Sequence, residues 1–157
     1  MLRITKLTDY AIIILGQMAS VHGAIHTAAD LAVTTGIAWP TVSKVLKSLA
    51  RAQVLNSTRG AKGGYQLAQA PEAITIARII AALEGPIALT ECGVAHFQCE
   101  QADTCQVQGN WSVLNRAIQS ALEAVTLADM IRPMTQAPNG FHIPLSHIST
   151  QLRRITE

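Results

Sequence analysis

Thr27-Ala28-Ala29-Asp30-Leu31-Ala32-Val33, then Gly36, then Ala38-Trp39-Pro40-Thr41-Val42-Ser43-Lys44-Val45-Leu46-Lys47-Ser48-Leu49-Ala50-Arg51 is the stretch that decides the fold. Thr27 is a helix-capping residue with Asp30 three positions on, so a short helix starts there and stops at Gly36. A second helix begins near Ala38, with Pro40 tolerated in its first turn. Val42, Val45, Leu46 and Leu49 recur at i, i+3, i+4 and i+7 and line one face. Thr41, Ser43, Lys44, Lys47, Ser48 and Arg51 are left outward. Two short helices around a glycine turn, the second polar and basic on its free face, make a helix-turn-helix. Its second helix suits the major groove of double-stranded DNA, with the N-terminal residues nearest the base edges.

The residues that follow extend the motif. Asn56-Ser57-Thr58-Arg59-Gly60-Ala61-Lys62-Gly63-Gly64-Tyr65-Gln66-Leu67 reads as two strand edges around a glycine-rich, basic tip, which is a wing. A nucleotide-binding loop is the rival, but the G-x4-G-K-[ST] order is absent and no apolar strand leads directly into a helix. On the winged-helix reading, the DNA-facing residues are Trp39, Pro40, Thr41, Ser43, Lys44, Lys47, Arg51, Arg59 and Lys62. Thr41, Ser43 and Lys44 fall where bases are read and Lys47 and Arg51 where phosphates lie; Arg59 suits the negative potential of a narrow minor groove.

Charge agrees with this division. Residues 1–70 carry seven Lys/Arg against two acids, net +5, and residues 71–157 carry five against eight, net −3. The basic part is the part that would meet a polyanion. With 49% hydrophobic but only 4% aromatic residues, and the apolar share mostly Ala, Leu and Ile, helix is favoured over sheet. The run Ala11-Ile12-Ile13-Ile14-Leu15 is bracketed by Asp9 and Gln17 and has no A-x-A site after it. It therefore reads as a buried helix and not a leader. No run approaches membrane-spanning length, and the expected location is cytoplasmic.

Beyond the wing a helix is expected from about Ile74 to Glu84, with Ile76, Ile79, Ile80 and Leu83 on one face and a Gly85-Pro86 stop. Trp111, Leu114, Ile118, Ala121 and Val125 then recur at spacings of three and four, a heptad seam suited to pairing with a second chain. The expected fold class is mainly α: a winged helix-turn-helix domain over 1–86, a cysteine-rich loop over 87–109, a long dimerisation helix over 110–132 and a flexible tail over 133–157. A homodimer would present two reading heads to a pseudo-palindromic promoter site. His142 and His147 in the tail read as solvated.

All three cysteines, Cys92, Cys99 and Cys105, fall within fourteen residues. An odd number cannot all pair as disulfides, and the C-x6-C-x5-C spacing lacks the tight hook of structural zinc sites. Weight shifts to an iron–sulfur cluster or a redox-active thiol set. A small iron–sulfur or zinc protein working in catalysis or cluster delivery is a third class, but no Ser/His/Asp or paired-carboxylate constellation accompanies the cysteines.

Four separated motifs, Leu2-Arg3-Ile4-Thr5-Lys6-Leu7-Thr8-Asp9-Tyr10-Ala11, Arg59-Gly60-Ala61-Lys62-Gly63-Gly64-Tyr65, Leu83-Glu84-Gly85 and the cysteine loop, occur in order, and together they resemble the IscR/NsrR family of bacterial transcription regulators over about residues 1–130. Ala88-Leu89-Thr90-Glu91-Cys92 and Gly109-Asn110-Trp111 are most similar to the branch that regulates SUF-type iron–sulfur assembly genes. The resemblance implies a homodimeric winged-helix repressor, not an enzyme. It also implies that the three cysteines hold a 2Fe-2S or 4Fe-4S cluster whose loading, loss or modification changes DNA affinity. Members resembling IscR place a histidine three residues after the last cysteine, where this chain has Gln108. Members resembling NsrR use an aspartate from the partner's first helix, and Asp9 falls at that place. Asp9 also reads as an ordinary helix N-terminal acid, and His96, Glu91, Glu100 and Asp103 compete within the loop. A nitric oxide or redox-stress sensor of the same architecture, and a cluster-free thiol switch, remain open alternatives.

Overall fold

The computed structural model describes residues 4–21, 23–60, 62–90 and 104–132. Cys92, Cys99, His96, Glu91, Glu100, Asp103 and the segment from 133 onward lie outside the described residues. The first helix, α1 (Lys6–Ala19), starts where the Thr5 hydroxyl accepts from the Leu7 amide, and it buries Thr8, Ala11, Ile14, Leu15 and Met18 on one face. α2 (Ala28–Thr35) is capped by the Thr27 hydroxyl and closes on Gly36 at φ 70°, a left-handed conformation that glycine adopts without a Cβ penalty. α3 (Trp39–Arg51) buries the four residues expected, Val42, Val45, Leu46 and Leu49. These side chains meet Ile14, Leu15 and Leu31 in one core, closed from the far side by Ile74, Ile79 and Leu127.

The wing is a two-stranded antiparallel hairpin, β1 (Leu55–Thr58) with β2 (Gly64–Leu67), in register Leu55 with Leu67 and Thr58 with Gly64. A third extended piece was not expected: His26 and Tyr65 exchange two backbone hydrogen bonds of 2.8 Å, so the segment before α2 lies along β2 and anchors the wing. A Cβ on Gly64 would stand 2.6 Å from the His26 carbonyl oxygen, so only glycine permits this approach. A 3-10 turn (Pro71–Ala73) leads into α4 (Ile76–Glu84), which begins two residues later than Ile74 because Thr75 takes the cap position.

The expectation of one helix across 110–132 is corrected. α5 runs Gln108–Glu123, the chain then extends, and α6 (Leu127–Ile131) begins behind a capping box of Thr126 and Asp129. Ile76 donates to the Val125 carbonyl and Leu127 donates to that of Ile74, both at 2.8 Å, so Thr75 and Thr126 form a short bridge. Val125 consequently leaves the seam and packs, with Leu127, into the core of its own winged domain. The cause is local. Thr126-Leu127-Ala128-Asp129 restarts a helix, and two backbone bonds plus a buried Leu outweigh one further turn of α5.

Candidate nucleic-acid interface and cysteine loop

α3 separates its two faces completely. Opposite the buried row, Trp39, Pro40, Ser43, Lys44, Lys47, Ser48 and Arg51 line one shallow concavity; Thr41 is half-buried and is not among them. Lys44, Lys47 and Arg51 are exposed, and the helix carries no acid in its first turn. Ala38 supplies no capping side chain, so the amides at the N-terminal end of α3 carry no side-chain cap. The wing places Arg59 at its tip, exposed, with Lys62 exposed on the returning limb. The Gly63 amide donates to Gly60 at 2.9 Å, and a Cβ at Gly63 would stand 2.2 Å from the Thr58 carbonyl oxygen, so the tip is tightly closed beneath Arg59. The sequence-expected DNA-facing residues therefore lie on the free face of α3 and on the wing.

Arg78, which the sequence did not single out, is withdrawn from any such surface. Its guanidinium donates to the Gln53 carbonyl at 2.8 Å and to Gln69 Oε1 at 2.5 Å, tying α4 to the turn after α3. Gln53 sits at φ 58°, a conformation that disfavours non-glycine residues, and the guanidinium holds the turn there.

Asp9 is exposed in the first turn of α1. Nearby, one carboxylate organises the start of that helix. Glu84, the last residue of α4, accepts from the Thr8 hydroxyl at 2.8 Å, from the Thr5 amide at 3.3 Å and from the Thr5 hydroxyl in a short bond. The Thr5 hydroxyl holds the Glu84 carboxyl below its ordinary value, helped by Thr8 and the Thr5 amide and opposed by partial burial. Glu84 thus caps another helix from a distance, and the Leu83-Glu84-Gly85 motif joins the N-terminal motif in space.

Of the cysteines, Cys105 lies within the described residues, a half-buried free thiol on the turn into α5. Among the described residues no three potential metal ligands come together. The loop that leads towards Cys92 is fastened to α5: the Leu89 amide donates to Asn115 Oδ1 at 2.8 Å. Asn115 is only 8% exposed, and among the described residues its buried Nδ2 has no hydrogen-bond partner. Sequence reasoning missed Asn115, although a polar residue four positions after Trp111 on an otherwise apolar face was a visible signal. On α5, Leu122 packs against the core, whereas Trp111 and Leu114 remain exposed.

Comparison with known proteins agrees with this architecture. Residues 4–133 match the Rrf2 family, described as an iron-dependent transcriptional regulator. The protein rrf2 of Nitratidesulfovibrio vulgaris is 32% identical over 111 residues, 71% of this chain and 74% of that one. Among solved structures, CymR, the global cysteine regulator of B. subtilis, superposes with a TM-score of 0.62 at 31% identity, covering 83% of this chain and 97% of CymR. IscR of T. potens does so with a TM-score of 0.59 at 25% identity, covering 88% and 94%. No described helix is long and apolar enough to cross a membrane. With a winged helix-turn-helix, a basic exposed recognition face and a family match over most of its length, the chain belongs to the Rrf2 family of transcriptional regulators and is not an enzyme.

Proposed function

We propose that this regulator is a homodimeric repressor that senses iron–sulfur cluster status and controls SUF-type iron–sulfur assembly genes. The observation that carries the proposal is the attachment of the cysteine loop to α5 at both described ends. Leu89 is fastened by Asn115, and Cys105 stands at the turn into the helix. Three cysteine thiolates are a soft donor set that fits an iron–sulfur cluster, and a half-buried Cys105 is open enough to serve in it. Cys92, Cys99 and Cys105 would hold the cluster, with Asp9 of a second chain as the proposed fourth ligand. The cluster, when bound, supplies a redox- and iron-sensitive cross-link.

The protein's own residues supply the rest. Trp111 and Leu114, exposed on α5, support pairing of this helix with its counterpart. The Thr75–Thr126 bridge then links α5 to α4 and so to the winged domain. A change in the loop would alter the spacing of two reading heads on a pseudo-palindromic promoter site. A tenfold shift in DNA affinity needs a difference of only about 1.4 kcal/mol between the two states. Base reading is assigned to Thr41, Ser43 and Lys44, phosphate contact to Lys47 and Arg51, and minor-groove contact to Arg59, with Trp39, Pro40 and Lys62 also facing the DNA.

In a second reading the loop cysteines act as thiols without iron, which the half-buried free thiol of Cys105 supports. Purification without oxygen separates the two. Visible absorption, iron and sulfide are measured, and the same sample is titrated onto DNA from its own upstream promoter. Brown protein whose specific affinity changes on cluster removal supports the sensor. Colourless, iron-free protein after anaerobic reconstitution refutes it, and a disulfide between two loop cysteines on mild oxidation then establishes the thiol switch.

A further inference from the structure

We infer that Trp39 reads a thymine through its 5-methyl group in the major groove. This rests on the DNA-binding reading above and adds to it the class of base that one side chain selects. The free face of α3 carries a ridge of Trp39, Ser43, Lys47 and Arg51 at four-residue intervals, with Pro40, Lys44 and Ser48 alongside. Such a ridge spans about 18 Å. From Ser43 onward every member is a hydroxyl or a cation; the N-terminal end alone is apolar.

That end is the one nearest the base edges when a recognition helix enters the groove. Trp39 is 57% exposed there, while Val42, Val45, Leu46 and Leu49 take the core, so the indole stands outside the hydrophobic core with most of its surface free. Its neighbours Lys44, Lys47 and Arg51 are exposed cations that match a polyanionic partner, and no carboxylate in the first turn opposes one. The apolar feature that a base pair offers in the major groove is the thymine methyl. Intercalating wedges enter by the minor groove, a route that the α3 face does not take. Held on the first turn of a rigid helix beside Pro40, the indole loses little conformational freedom on docking.

The test uses duplexes enriched from a random-sequence library by the full-length protein. Each thymine is replaced in turn by uracil, which removes the methyl and keeps the pairing. The unmodified protein is expected to bind about fourfold more weakly when one particular thymine, or its symmetry mate, is replaced. Trp39→Ala, folded by circular dichroism, is expected to bind the enriched duplex more weakly and to ignore that replacement. Trp39→Leu is expected to keep part of the difference, because an apolar side chain remains. Indifference of the unmodified protein to every uracil overturns the inference. So does a Trp39→Ala loss equal on enriched and random duplexes, which places the indole on the sugar-phosphate backbone. A protein that enriches no sequence fails at the earlier step and overturns the specific DNA-binding reading itself.

Discussion

Glu84→Ala removes a carboxylate that three donors share at the start of α1. A hydrogen bond to a charged acceptor contributes about 1.5–3 kcal/mol when water is excluded. Glu84 is exposed, so solvent competes for its oxygen and the contribution falls below that range, to about 1–1.5 kcal/mol for the set. On a chain of this size that lowers Tm by about 3–5 °C. Glu84→Gln, which keeps an acceptor but not the charge, is expected to lose roughly half as much. Thr8 is fully buried, and Thr8→Val deletes one donor without a cavity. In the Glu84→Ala background Thr8→Val is therefore expected to be neutral, and the double-mutant cycle isolates that one bond.

The pH dependence carries the sharper check. The Glu84 carboxyl is lowered in the folded protein, chiefly by the Thr5 hydroxyl. Its contribution is thus fully present above the unfolded carboxyl value of about 4.3 and is lost as pH falls through the lower folded value. Asp129, lowered by Thr126, titrates in the same direction but is common to both proteins, so the difference between wild type and Glu84→Gln cancels it. Urea denaturation at pH 7 and at intervals down to pH 3 should show that difference shrinking in the acid range. A difference that persists unchanged to pH 3, or a Glu84→Ala cost below about 0.3 kcal/mol, refutes the cap.

Lys47→Ala is expected to weaken DNA binding equally on enriched and random duplexes and to flatten its salt dependence by about one unit of slope, whereas Arg59→Ala should lose more on the enriched duplex; equal behaviour in a salt titration refutes that division. Val125→Ala, which removes two buried methyls, should lower stability by about 1.5–2 kcal/mol while leaving the self-association constant unchanged by sedimentation; a weakened association would return Val125 to the seam. Asn115→Ala leaves the Leu89 amide without its acceptor, at a cost of about 1–2 kcal/mol and with faster amide exchange at Leu89; unaltered protection there removes the fastening from the account.

The helix-turn-helix was legible because each signal was local: a Thr cap, a left-handed Gly, and four apolar residues at helical spacing. The wing was legible for the same reason, through its glycines. What escaped was long-range. Nothing near His26 announces that its backbone pairs with Tyr65, thirty-nine positions away. Arg78 looks like any surface cation until the turn at Gln53 is folded against it. The break after Glu123 is a different failure: Thr126-Leu127-Ala128-Asp129 is a capping box in plain view. The heptad count passed over it because Val125 fits a seam and a core equally well. Of the proposed cluster site, the residue types were legible in the sequence, whereas a meeting of three cysteines with Asp9 of a second chain would depend on loop geometry and pairing that no local pattern encodes.

The placement of Asn115 and Glu84 bears on how such a loop could speak to DNA. The cysteine segment lies between α4, which ends at Glu84, and α5, which begins at Gln108, three residues after Cys105, so its two ends lie on two different helices. Glu84 ties the first of these to the start of α1, one turn of which carries Asp9. Asn115 ties the beginning of the segment to the second. A pull on the loop would therefore act on α1 and α5 together. The recognition helix itself is held from behind by packing against α1 and α4, so it would move as a body and keep its base-facing row intact. If the chain pairs as proposed, coupling of this kind would change the distance between two reading heads and leave the chemistry of each head untouched, which would make affinity for a paired site, and not preference among bases, the quantity regulated.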